Sequence, residues 1–188
     1  MPHSAARDEF FAPAKLWRRA EVLTRPSPVP RQRGIYAWYF RAPPSAVPLQ
    51  GVHTVDDFAL LYIGIAPSSA ASGATLRSRL RSHLRKDASQ STLRLTLGCL
   101  LADTLGLRLA PQVNGRLTLG AEGEQRLSAW LDSHAAVVWV PREEPWQDEH
   151  GLIQHFKTPL NLQGNAAHPF FAALSARRQQ FRAAAKAG

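Results

Sequence analysis

"GIYAWYF" at residues 34–40 and "FALLYIGI" at residues 58–65 decide how this chain is read. Both are short, apolar and rich in aromatic or β-branched residues, and polar or proline-rich segments bound them, so both read as strands. The segment between them, "RAPPSAVPLQGVHTVDD", has the prolines and glycine of a long loop. Antiparallel pairing with that loop hanging outside is the simplest topology. Each strand also carries a tyrosine close to a glycine. A strand tyrosine ordinarily buries its ring and satisfies its hydroxyl, so packing alone accounts for either one.

Working outward, residues 8–24 read as a helical segment interrupted by Pro13, and "RPSPVPRQR" at 25–33 as a proline-rich connector, so the ordered core is expected to begin at Gly34. Downstream, "ATLRSRLRSHLRKD" predicts a helix capped near Thr75 with Leu76, Leu80 and Leu84 on its buried stripe. "SQSTLRLTLGCLLADTLGL" gives a second helix with a serine near its start. "GRLTLG" suggests a short strand, and "GEQRLSAWLDSHA" a helix with Leu127, Trp130 and Leu131 at core spacing. "AVVWV" at 136–140 is a third strand, buried on both faces. "DEHGLIQHF" reads as a helix, "KTPLNLQGN" as a loop, and the C-terminal segment as a helix with a basic second half.

The chain has 188 residues, 45% of them hydrophobic, which suits one packed domain with additions. No apolar run reaches membrane-spanning length, and the N-terminus lacks signal-peptide order, so a soluble cytoplasmic protein is expected. The single cysteine, Cys99, excludes disulfides within the chain and cysteine-rich zinc sites. Net charge is +9, carried by 19 arginines and only 4 lysines. Guanidinium forks match phosphate oxygens, so a nucleic-acid partner is indicated, although a base-composition bias in the gene would also enrich arginine.

Residues 77–86, "RSRLRSHLRK", contain no acid. On a helix Arg77, Arg81 and Arg85 flank one side of the leucine stripe, a solvated face or a phosphate contact. Arg79 and His83 flank the other, toward whatever the second strand presents. Among the acids of residues 143–149, Glu143, Glu144 and Asp148 read as solvated. Glu149 lies one turn before Leu152 and Ile153, where a carboxylate can point into a cleft and hold a hydrated divalent cation. His150 and His155 diverge on their helix and make no zinc site.

Together these pieces resemble the GIY-YIG nuclease superfamily over residues 34–161. "GIY" at 34–36 and "YIG" at 62–64 match its two naming tripeptides, and "TLRSRLRSHL" resembles its first core helix, with the arginine at Arg79 and a histidine at His83 as in restriction and homing members. "EHGLIQHFKTPLN" resembles its glutamate helix and following turn, placing the metal-ligand glutamate at Glu149 and an asparagine at Asn161. Two departures stand out. The loops around the second strand are longer than in compact members, and Ile65 occupies the place where many relatives, including the repair excision nucleases, carry lysine.

The resemblance implies an α/β (α+β) fold, a small central three-stranded antiparallel sheet flanked by helices. It is expected at 34–165, between an N-terminal helical extension with its connector at 1–33 and a basic C-terminal helix at 166–188. It implies an endonuclease that hydrolyses DNA phosphodiester bonds to 5′-phosphate and 3′-hydroxyl ends with Mg²⁺ or Mn²⁺ on Glu149, RNA being left open as a substrate. Tyr36 would act as base or water-orienting group, Tyr62 would hydrogen-bond nucleophile or phosphate, and Arg79 would neutralise the transition state. His83 would assist and Asn161 would brace. The basic side chains Arg77, Arg81, Arg85, Lys86, Arg177, Arg178 and Arg182 are candidates for backbone contact, those of the terminal helix reading equally as a solvated or frayed tail. The alternative is a nucleic-acid-binding module on the same fold that does not cut.

Overall fold

A computed structural model describes residues 3–85 and 87–187. In chain order the elements are α1 (His3–Phe11), β1 (Trp17–Arg18), α2 (Arg19–Val22), β2 (Gly34–Phe40), β3 (Thr54–Val55), β4 (Phe58–Ala66), α3 (Leu76–Arg85), α4 (Thr92–Leu100) and α5 (Ala102–Leu105). There follow β5 (Ala110–Pro111), β6 (Leu117–Thr118), α6 (Gly120–His134), β7 (Ala135–Pro141), a 3₁₀ turn at Pro145–Gln147, α7 (Glu149–Phe156) and α8 (Phe171–Ala187).

The three expected strands are β2, β4 and β7, and β2 is central, with all seven residues buried. The main sheet nevertheless has five strands, in the order β1-β7-β2-β4-β3, and every pairing is antiparallel. The expectation of three missed the two edges, each a ladder of two residues. So short a strand has no alternation to read, and Trp17–Arg18 lies inside a segment that looked helical. Short edges also leave little unpaired backbone for another chain to join. "GRLTLG" does supply a strand, β6, but it pairs with β5 in a separate hairpin.

Helices cover both faces of the sheet. On one face Leu76, Leu80 and Leu84 of α3 pack on Tyr36, Trp38 and Phe40 of β2, with Leu127 and Leu131 of α6 in the same cluster. On the other, Ala6 and Phe10 of α1 and Leu152, Ile153 and Phe156 of α7 pack on Ile35, Ala37 and Tyr39. The core does not begin at Gly34. Phe10, Val22 and Val29 are buried, the Tyr39 hydroxyl donates to the Phe10 carbonyl, and the connector accepts backbone hydrogen bonds from Leu76 and Arg77. A proline-rich stretch can be fixed in this way because its carbonyls remain free to accept. Among the described residues no helix is long and apolar enough to cross a membrane.

Register is interrupted once. Trp38 pairs with Tyr62 but Tyr39 pairs with Leu60, so Leu61 is the extra residue of a bulge in β4. Leu61 and Tyr62 therefore both lie on the α3 face, whereas Leu60, Ile63 and Ile65 lie on the α7 face.

Candidate active site

The bulge brings the two tyrosines together. Beyond it Tyr62 shares a face with Tyr36, whose cross-strand partner is Gly64, and the two rings lie diagonally with centroids 6.5 Å apart. Gly64 is what lets the Tyr36 ring lie down, since a Cβ there would fall 2.5 Å from Tyr36 Oη and 2.6 Å from Cζ. Gly34 relieves a different approach, because a Cβ would meet the Val140 carbonyl oxygen and the Leu76 side chain. In both tripeptides the glycine makes room for protein packing.

Helix α3 supplies the next two groups. Thr75 and Ser78 cap it reciprocally, each hydroxyl oxygen accepting from the other residue's backbone N–H, and the buried leucine stripe fixes its rotation. Arg79 and His83 are thereby aimed at β2. His83 Nε2 lies 2.8 Å from Tyr36 Oη, and Arg79 Nε donates to the same oxygen at 3.3 Å. The hydroxyl they clasp thus belongs to the first strand, although Tyr62 of the second lies beside it.

Behind His83 is a buried network. His83 Nδ1 is 2.7 Å from Ser91 Oγ, and that oxygen also accepts from the Arg94 backbone N–H as the N-cap of α4. Arg94 is 0% exposed, forms a 2.6 Å ion pair with Glu124, and donates to the His83 carbonyl. Ser91 is readable from sequence as a helix start, but its contact with His83 depends on how α3 and α4 pack.

Glu149 opens α7 and reaches the site from the opposite layer of the sheet, since Leu152 and Ile153 hold α7 on the far face. It lines a cleft of about 340 Å³ with Tyr36, Tyr62, Gly64, Ile65, Ser68, Arg79, Thr92, Asn161 and Arg178. Volume alone does not single out this cleft, because depressions of 430 and 630 Å³ occur elsewhere. The convergence of titratable groups does. His83, only 1% exposed, stands behind Tyr36 and is not part of the wall.

Asn161 is committed to the backbone. Its Oδ1 accepts from the Ile63 N–H at 2.9 Å and its Nδ2 donates to the Ile63 carbonyl at 2.7 Å, so the side chain caps the edge of β4 where β3 has ended. Thr158 donates to the same Oδ1 and Asn165 Nδ2 holds the turn's carbonyls. Asn161 therefore fixes the strand one residue from Tyr62. Ile65 packs on the α7 face, where the cleft borders Glu149.

Burial dominates the electrostatics. It raises the phenol pKa of Tyr36, with Tyr62 adding to the rise and Arg79 opposing it. Burial likewise raises Tyr62 and Glu149, in both cases against Arg79. Burial pulls the Arg79 guanidinium down, but the two tyrosines and Glu149 outweigh it and the net shift is upward. His83 is lowered well below its ordinary value by burial and then by Arg79 and Arg94, so it is neutral.

The donor chemistry suits a hard divalent ion. Among the described residues Glu149 is the only carboxylate lining the cleft, and no three of His, Cys, Asp or Glu converge. A soft metal or a complete protein cage does not fit such a wall; a mostly hydrated Mg²⁺ or Mn²⁺ on one carboxylate does. Of the other acids, Glu143 and Glu144 are exposed as expected, but Asp148 is buried and paired with Arg142 at 2.8 Å. It precedes α7 beside Arg142 at the end of β7, a contact that sequence spacing does not reveal.

The basic candidates separate. Arg77 is turned into the protein, donating to the Val29 and Ser27 carbonyls. With Arg31, Arg81 and Arg85 it lines a groove on the side of α3 away from Tyr36, and Arg81 Nε there is buried with no hydrogen-bond partner among the described residues. Arg177 and Arg182 are exposed on α8, Arg178 enters the cleft, and Lys86 lies outside the described residues.

No curated protein and no solved structure matches this chain. A family model described as the GIY-YIG catalytic domain matches residues 34–180, from Gly34 at the start of β2 into α8. With both tripeptides in paired strands and the arginine and glutamate helices facing one cleft, the chain belongs to the GIY-YIG family, a domain of nuclease type that takes nucleic acid as substrate.

Proposed function

We propose that this protein is a divalent-metal-dependent endonuclease that hydrolyses DNA phosphodiester bonds, leaving 5′-phosphate and 3′-hydroxyl ends. The observation that carries the reading is the convergence of Tyr36, Tyr62, Arg79 and Glu149 on one cleft, with neutral His83 at 2.8 Å behind Tyr36. Glu149 would hold Mg²⁺ or Mn²⁺, which when bound polarises a phosphate oxygen and stabilises charge on the leaving 3′ oxygen.

Tyr36 is the proton acceptor of this scheme. Its raised pKa rules out a standing phenolate at neutral pH, so it must give up one proton as it takes another. Attacking water passes a proton to Tyr36 Oη, while the phenol's own proton moves to His83 Nε2. The imidazolium so formed keeps its Nδ1–H on Ser91 Oγ. The new O–P bond forms as the P–O3′ bond breaks, and solvent protonates the departing 3′ oxygen. Arg79 neutralises charge building on the phosphate, where a fixed donor in a partly water-excluded site acts more strongly than in bulk water. Tyr62 orients water or phosphate, and Asn161 positions Tyr62 through the backbone of β4.

The test is cleavage of supercoiled plasmid with Mg²⁺ or Mn²⁺ by wild type, Tyr36→Phe, Arg79→Ala and Glu149→Ala. Each variant should lose at least about 100-fold in rate, the size expected for a group acting on the reacting atoms. Cleavage surviving in Glu149→Ala refutes the metal assignment. DNA binding by wild type without cleavage under either metal makes the protein a non-cutting binding module.

A further inference from the structure

Arg178 changes the standing of the C-terminal helix. Its half-buried guanidinium lines the same cleft as Tyr62, Arg79 and Glu149, and among the described residues no acceptor or carboxylate is paired with it. Burial lowers its pKa, with Arg182 adding repulsion. A cation held away from water without an anion is costly unless a ligand supplies the charge.

The feature continues past the cleft. Helix α8 contains no Asp or Glu, and Leu174, 0% exposed, anchors it in the core cluster together with Phe181. Arg182, one turn beyond Arg178 on the same side of α8, lines a second depression of about 340 Å³ with Arg116, Ser89 and Ala88. No acid lines it. The rise between Arg178 and Arg182 is about 6 Å, comparable with the spacing of neighbouring phosphates along a strand. The groove beyond α3 is the weaker candidate for this role, because Arg77 is bonded to the Val29 and Ser27 carbonyls of the connector.

We propose that Arg178, Arg182 and Arg116 form a track that holds the phosphates flanking the scissile one, leading the nucleic-acid strand out of the cleft along α8. The partner is the sugar-phosphate backbone, so contact is independent of base sequence. The proposal rests on the nuclease reading for its substrate. Its three arginines act in binding; the chemical step belongs to the groups around Tyr36.

The test measures binding apart from cutting. Anisotropy titrations of a labelled DNA oligonucleotide in metal-free buffer containing chelator, at several salt concentrations, compare wild type with Arg178→Gln, Arg182→Gln, Arg178→Lys and Arg7→Gln. Arg7 is exposed on α1, against the opposite face of the sheet. Loss of one phosphate contact lowers the slope of log K against log salt by about 1. Arg178→Gln and Arg182→Gln should each show that drop with several-fold weaker binding, while Arg178→Lys and Arg7→Gln keep the wild-type slope. Should Arg178→Gln misfold by circular dichroism, exposed Arg182 carries the test alone.

Unchanged slopes in a wild type that binds and cuts overturn the track and leave the nuclease reading standing. Altered slopes in a protein that never cuts uphold the track and overturn hydrolysis. A wild type that does not bind DNA overturns both.

Discussion

Replacing Gly64 with alanine places one methyl group against the group proposed to take the proton. The added Cβ would lie 2.5 Å from Tyr36 Oη, 2.6 Å from Cζ and 3.0 Å from Cε2. Ordinary carbon contacts lie near 3.5 Å, so the ring must retreat by about 1 Å. It has little room, being 0% exposed, packed on the α3 leucines and held at its hydroxyl by His83 and Arg79. Overpacking of this kind costs about 1–3 kcal/mol, and weakening a buried hydrogen bond adds about 1 kcal/mol, so a loss of about 2–4 kcal/mol is expected in urea unfolding. A displacement of about 1 Å at a reacting group costs on the order of 100-fold in rate, to be read in single-turnover plasmid cleavage. Gly73→Ala is the matched control, because a Cβ there meets nothing within 4 Å. Gly64→Ala with the unfolding midpoint and cleavage rate of Gly73→Ala would refute both the close approach and the placement of Tyr36 in the chemistry.

Asn161→Ala strips both partners from the Ile63 backbone within a buried strand and should cost about 2–4 kcal/mol, with slower cleavage as β4 loosens beside Tyr62; an unfolding midpoint equal to wild type would count against the role of Asn161 at the sheet edge. Glu124→Ala leaves the fully buried Arg94 without its carboxylate and should cost about 3–5 kcal/mol, measured by denaturation near neutral pH. His83 gives a pH signature of fixed sign. Its folded pKa lies well below its unfolded value, so as pH falls below about 6.5 the unfolded chain takes up a proton that the folded chain does not, and stability drops by up to about 1.4 kcal/mol per pH unit. Between pH 7.5 and 5.5 wild type should therefore lose more stability than His83→Gln, and equal losses would show that His83 is not held neutral.

The sequence by itself determined the three long strands, the capping and buried face of α3, and the residue types of the site. These are properties of local pattern. Leucines four apart select one face of a helix, and alternating apolar and aromatic residues select a strand. It also carried both tripeptides, which tied Arg79 and Glu149 to one family. Hidden from it were features that depend on contacts between distant segments. The edge strands are two residues each, too short for any periodicity. The bulge at Leu61 shifts Tyr62 onto the face of Tyr36, and strict alternation along β4 would have put it with Leu60. The demand for glycine at position 64 comes from a ring 28 positions earlier. Asn161 looked like a site residue, yet its amide serves the backbone of β4. In the sequence Arg178 reads equally as a backbone contact or as part of a solvated tail, and it is the packing of α8 on α4 that sets it in the cleft. Local sequence fixes what a side chain is and which way its own element turns it. Whether it meets substrate, core or another strand's backbone is decided by register and packing between elements far apart in the chain.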